Sequence, residues 1–250
     1  MIRIVTFIFL VFNGFIQAQD HLREFQDGNA HYNNGEYLEA IDEYNRILND
    51  GLHSFELYFN LANAHYKQNN IAESIYFYEK ALQLDGDNKE VLSNLSFAQQ
   101  MTIDDIDVIP NSGVKNILNG LVSVMDSDGW GVLIVILIWL TVLFLLVYFF
   151  SRNTKTKRVS FIFSFILSGV ILLSFMMGFY AKSIENNNVY AIVFDEEVQV
   201  KEEPNLRSSL RFKLHEGTKI LLLDAVGEWN KIKLTNGQSG WLKSGSIKIL

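Results

Sequence analysis

The chain has 250 residues, 49% of them hydrophobic and 20% charged. That is too apolar for a disordered chain and, with two Pro and sixteen Gly, unlike collagen or a Pro-rich scaffold. The absence of Cys excludes disulfides, thiolate metal sites, Fe–S clusters, thiol nucleophiles and a lipidated cysteine, and a net charge of −7 argues against binding along a nucleic-acid backbone.

Residues 1–18 have the layout of a secretory signal peptide. Arg3 supplies a positive charge, Ile4 to Phe12 form a nine-residue apolar core, Asn13-Gly14 break it, and Ala18 stands before Gln19 at the candidate cleavage point. The apolar core is too short to cross about 30 Å of hydrocarbon as a helix. A buried N-terminal helix is the alternative reading.

From residue 19 the chain repeats. Asn29-Ala30-His31-Tyr32 returns 34 residues later as Asn63-Ala64-His65-Tyr66, and the same offset pairs Phe25 with Phe59, Ala40 with Ser74, Tyr44 with Tyr78 and Leu48 with Leu82. This period, with small residues at fixed inner positions, is the tetratricopeptide signature, and the stretch from Tyr58 to Asn88 resembles that family's consensus most closely. Residues 19–101 are expected to form two repeats, 21–54 and 55–88, and a capping helix over 89–101 that covers the exposed apolar edge. So short an array needs support from a neighbour or partner.

By the family's pattern, Phe25, Asn29, Tyr32, Phe59, Asn63 and Tyr66 face a concave groove that binds an extended peptide or a helix. Asn offers a ligand backbone both a donor and an acceptor. The alternative is that the tyrosines only pack. Lys67 is the one cation near that groove, which argues against clamping a terminal carboxylate. Residues 19–113 carry 17 acidic and 5 basic side chains, a net of −12 that favours basic partners. His31 and His65 occupy equivalent places where Tyr is typical, so packing rather than metal ligation is expected; no metal or other cofactor is expected.

Residues 102–129 read as a polar linker followed by an amphipathic stripe of Val114, Ile117, Leu118, Leu121, Val122 and Met125. Residues 130–150 and 159–181 contain no charge, and at about 1.5 Å per residue each is long enough to cross a bilayer as a helix. Between them, residues 151–158 carry Arg152, Lys155, Lys157 and Arg158 and no acid. The positive-inside rule puts this turn in the cytoplasm and both flanking soluble parts on the periplasmic side of a bacterial inner membrane, in agreement with a signal peptide. Ser160, Ser164, Ser168, Gly169 and Ser174 suit close helix pairing.

Residues 188–250 switch to short strands of period two, with Asn236-Gly237 as a hairpin signal. Five or six strands suggest a small barrel. Leu214-His215-Glu216-Gly217-Thr218, Glu228-Trp229-Asn230-Lys231-Ile232 and Gly240-Trp241-Leu242 resemble the bacterial SH3 domain. Trp229 and Trp241 are read either as core or as a peptide-binding platform. No nucleotide, hydrolase or metalloprotease motif is present, so no catalytic residue is named.

The fold class is thus multidomain: an all-α tetratricopeptide solenoid, a two-helix transmembrane hairpin and a small all-β SH3-like barrel. This order resembles the BatE proteins of the Bacteroides-type aerotolerance operon. The resemblance implies a membrane adaptor in an envelope complex linked to oxidative stress, with von Willebrand A-domain membrane proteins as partners; the apolar spans add the lipid bilayer, the net charge argues against nucleic acid, and the missing motifs support no enzymatic activity. The alternatives are a sensor reading peptidoglycan peptides through the SH3-like domain and, less supported, a cell-wall hydrolase.

Overall fold

The computed structural model describes residues 21–106, 120–122 and 124–250. The candidate signal peptide, residues 1–18, and most of the amphipathic stripe lie outside the described residues. The chain forms two units: Met1–Val108 together with Tyr190–Leu250, and Ile109–Val189.

In the first unit, five helices follow one another: α1 (21–34), α2 (Tyr37–Asn49), α3 (Phe55–Lys67), α4 (Ile71–Leu84) and α5 (Lys89–Gln99). Turn chemistry sets the boundaries. Gly35 at φ 83° and Asn69 at φ 61° occupy the same repeat position after α1 and α3, and Asn tolerates the left-handed conformation best after Gly. Ser54 caps α3 by accepting from Leu57 N, and Asn88 caps α5 by accepting from Glu90 N and Val91 N.

Small residues set the helix spacing. A methyl group on Gly28 would lie 2.5 Å from the Tyr44 ring, so α1 meets α2 at this glycine. In the second repeat, Ala62 and Ser74 are fully buried, and Ser74 Oγ donates to the Ala62 carbonyl at 2.9 Å. Ala40, Tyr44, Leu57 and Leu61 fill the first core, and Ile75, Tyr78, Ala81 and Val91 fill the next.

Seven strands follow: β1 (Val189–Val193), β2 (Glu197–Lys201), β3 (Leu210–His215), β4 (Lys219–Val226), β5 (Trp229–Lys233), β6 (Ser239–Lys243) and β7 (Ile247–Ile249). They form one sheet in the order β3-β2-β6-β5-β4-β1-β7, antiparallel wherever the register is defined. The sheet does not close into a barrel, because β3 and β7 are its edges. β3 is additional to the strands anticipated from sequence; its Leu214 faces the core shared with Val198, Val200, Ile220, Ile232 and Leu242.

The sheet docks on the helical array. Ile192 is fully buried among α4 and α5 side chains, with Phe194 and Leu250 packed beside it, and the Tyr76 and Phe194 rings meet edge to face at 5.8 Å. Lys219 Nζ donates to Glu79 Oε2 at 2.6 Å, where Glu79 is only 8% exposed. Gly217, at φ 82°, is required twice over: the turn is left-handed, and a Cβ would sit 2.8 Å from Thr102 and 3.1 Å from Ile75. After α5 the chain joins the sheet itself. Asp104 accepts from His215 N and Thr218 Oγ1, each at 2.6 Å, and from His215 Nδ1 at 2.8 Å, while Ile106 packs on the sheet core. The support that a two-repeat array needs thus comes from within the chain.

In the second unit, the helices Ser127–Phe150 and Thr154–Asn187 pack side by side as a hairpin and are long and apolar enough to cross a membrane. Ser160, Ser164 and Ser174 are buried between them, whereas Ser168 and Gly169 are exposed. Trp130 packs on Gly178 and donates from Nε1 to the Val122 carbonyl at 3.1 Å; Phe144 stacks on Phe163 at 5.2 Å.

Candidate functional site

α1, α3 and α5 line one side of the array, and a concave pocket of about 260 Å³ lies among them. Tyr32 comes from α1, Asn63, Tyr66 and Lys67 from α3, and Glu90, Asn94 and Phe97 from α5, with Tyr78 of α4 beneath. Phe97 is 54% exposed although it is a large apolar side chain.

A hydrogen-bond ladder orders this surface. Asn29 Oδ1 accepts from Tyr44 Oη at 2.7 Å and from Asn60 Nδ2 at 2.8 Å. One repeat on, Asn63 Oδ1 accepts from Tyr78 Oη at 2.6 Å and from Asn94 Nδ2 at 3.1 Å. Each asparagine oxygen therefore ties the second helix of its own repeat to the first helix of the next. Burial pushes the Tyr44 phenol up to about 12 and that of Tyr78 higher still, so both remain neutral donors. Both Asn oxygens are engaged inside the protein; the Nδ2 groups of Asn29 and Asn63 have no hydrogen-bond acceptor among the described residues.

Of the six groove candidates, Tyr32, Asn63 and Tyr66 come together at the pocket. Asn29 sits in the equivalent place one repeat earlier. Phe25 packs against Tyr44, ring centroids 5.9 Å apart, and Phe59 packs against Phe55 and Tyr78. Glu90, Asn94 and Phe97, spaced four and three residues apart on α5, were not among those candidates. Their signal was available: Asn94 lies 34 residues after Asn60, so the capping helix also serves as the first helix of a third half-repeat.

The two repeat histidines diverge. His65 is buried and stacked on Phe77 at 5.5 Å, and burial lowers its pKa to about 4. His31 is partly exposed and bonds Glu36 at 2.6 Å, a contact that raises its pKa. Among the described residues, His21, Glu24 and Asp50 bring three potential ligand atoms within 4.8 Å of one another, but Arg23 and Arg46 line the same depression and oppose a cation there.

On the sheet, Trp229 and Trp241 are both half-buried and belong to none of the core clusters. They project from the outer face of adjacent strands, where Trp229 stands opposite Lys243 and Trp241 opposite Lys231.

Residues 55–88 match the family model of the tetratricopeptide repeat. Comparison with curated protein sequences gives no match. Among solved structures, an NlpC/P60 family protein from Bacillus cereus is similar at 18% identity over 27% of this chain, with a TM-score of 0.22; the likeness covers 22% of that protein. The first tetratricopeptide domain of Spaghetti (RPAP3), bound to an HSP90 peptide, is similar at 20% identity over 33% of this chain and 92% of that one, also with a TM-score of 0.22. The helices α3 and α4 are thus a tetratricopeptide repeat, a module that suggests protein partners.

Proposed function

We propose that this chain is a membrane-anchored, non-enzymatic adaptor whose repeat groove takes a segment of a partner protein. The observation that carries the reading is the pocket between α1, α3 and α5, where Tyr32, Tyr66 and Phe97 offer ring surface around the amide groups of Asn63 and Asn94. Rings supply contact area at little entropic cost, and the amides order a ligand backbone.

Anchoring is supported by the two long apolar helices, and the cations of residues 151–158 favour a cytoplasmic turn with both soluble parts in the periplasm. The resemblance to BatE proteins supports an envelope complex linked to aerotolerance, with von Willebrand A-domain proteins as partners. In this reading the C-terminal sheet is an SH3-like module.

The test is crosslinking and affinity recovery of the full chain from native membranes, comparing wild type with Tyr66→Ala/Phe97→Ala. A defined protein set is expected with the wild type and about tenfold less with the variant. Equal recovery rejects the groove, and retention on peptidoglycan alone favours the cell-wall sensor.

A further inference from the structure

The outer face of β5 and β6 has a composition the core does not require. Ile232 and Leu242 point inward and are fully buried, so the alternate residues Trp229, Lys231 and Lys233 on β5 and Trp241 and Lys243 on β6 point outward. Lys231 Nζ lies 5.9 Å from the centroid of the Trp241 ring. Lys231, Lys233 and Lys243 make no ion pair with a described residue. Lys201, opposite Trp241, is committed to the carbonyls of Leu206 and Ser208. Asp224 is the acid in register with Lys231, and it accepts from its neighbour Ala225 N. Asp224 keeps its negative charge, so the result is an aromatic centre with a rim of three lysines and one acid, net cationic.

The same chain carries the complement. On α2, Glu39 and Asp42 are exposed around Leu38, which is itself 58% exposed, and Glu36 precedes the helix on an arm of net charge −12. Arg46, the cation at the end of this helix, is closed onto Glu43 at 2.7 Å. Neither face takes part in the contact between sheet and array, which uses α4, α5 and residues 102–106 on one side and β1, β7 and the β3–β4 turn on the other. Among the described residues of this unit, nothing covers either face.

We infer that the Trp–Lys face of β5–β6 in one copy seats on the acidic, Leu38-centred face of α2 in a second copy. The contact is heterologous, so it builds open rows with one unused face at each end, or closed rings with none, rather than closed two-fold dimers. Matching an apolar centre to an apolar centre and a cationic rim to an anionic rim sets the orientation, and the rim makes association depend on salt.

The test uses the full chain in detergent micelles, with mass measured by light scattering at low and high ionic strength. The wild type is expected to associate at low salt and dissociate at high salt. K231E/K233E/K243E and, independently, E39K/D42K are each expected to weaken association by about tenfold or more, with circular dichroism unchanged because all five side chains are exposed or half-exposed. Mixing the two variants restores association, since each then supplies the charge the other reversed. A wild type that stays monomeric at low salt, a variant that associates like the wild type, or a mixture that fails to associate overturns the inference. Monomeric wild type that instead binds vesicles of phosphatidylglycerol also overturns it and assigns the face to lipid.

Discussion

Asn29 and Asn63 show how much depends on one side-chain oxygen. The tetratricopeptide pattern puts both on the groove side, and each offers its amide to a ligand on paper. In the fold, each oxygen accepts a buried tyrosine hydroxyl and an amide from the next repeat. Asn63→Ala leaves Tyr78 Oη buried without an acceptor, so it should destabilise the array by about 2–3 kcal/mol. Asn63→Asp retains an acceptor and should cost less. Thermal unfolding of both variants followed by circular dichroism checks this order; equal losses would mean that the ladder is not the source of the effect. The corollary is that groove binding is better probed at Tyr66 and Phe97, which project from the helix surface.

The helix is the scale at which the histidine of the second repeat acts. His65 on α3 is held against Phe77 of α4, and burial lowers its pKa from 6.5 to about 4. The unfolded chain then takes up the proton first. The array is accordingly expected to lose stability as pH falls from 6.5, with the full cost of roughly 3 kcal/mol reached below about pH 4. His65→Phe keeps the ring stack and removes the titrating group, so its melting temperature should vary less with pH across that window; an unchanged slope would place the titration elsewhere. At this scale the repeat was legible in the sequence because helix pairing imposes small residues at fixed intervals. α5 was legible as a cap and as a third half-copy of the repeat, with Glu90 repeating Glu56, but Phe97 stands where the earlier copies carry Asn63 and Asn29, so its place on the groove was not. β3 alternates in plain sequence and lies at one edge of the sheet, but β7, at the other edge, was legible, so edge position alone does not account for the difference.

Over the whole molecule, the contact between array and sheet is the feature no local pattern announced. Burial alone would raise the Asp104 pKa, but hydrogen bonds from Thr218 and from the side chain and backbone of His215 outweigh it and hold the carboxyl below its ordinary value of 3.8. The clamp is therefore at full strength above that pH and weakens as pH falls through the lower folded value. Asp104→Ala strands the His215 N–H and the Thr218 hydroxyl, and an expected loss of about 2–3 kcal/mol should accompany uncoupling of the two parts. Calorimetry should then resolve separate transitions for helices and sheet where the wild type gives one; a single unshifted transition would rule out Asp104 as the coupling residue.

Sequence by itself determined the two repeats, the two uncharged runs and the change to period two after residue 188. These follow from local rules: helix pairing, the solvent facing each side chain, and strand alternation. Tertiary structure alone decided that the asparagine oxygens are spent on a ladder, that the sheet stays open between β3 and β7, and that a short array stands because Ile192, Glu79 and Asp104 join it to residues more than a hundred positions away. Such pairings are set by which surfaces remain unburied once each element has formed. That is a property of the assembled surfaces, and no spacing along the chain encodes it.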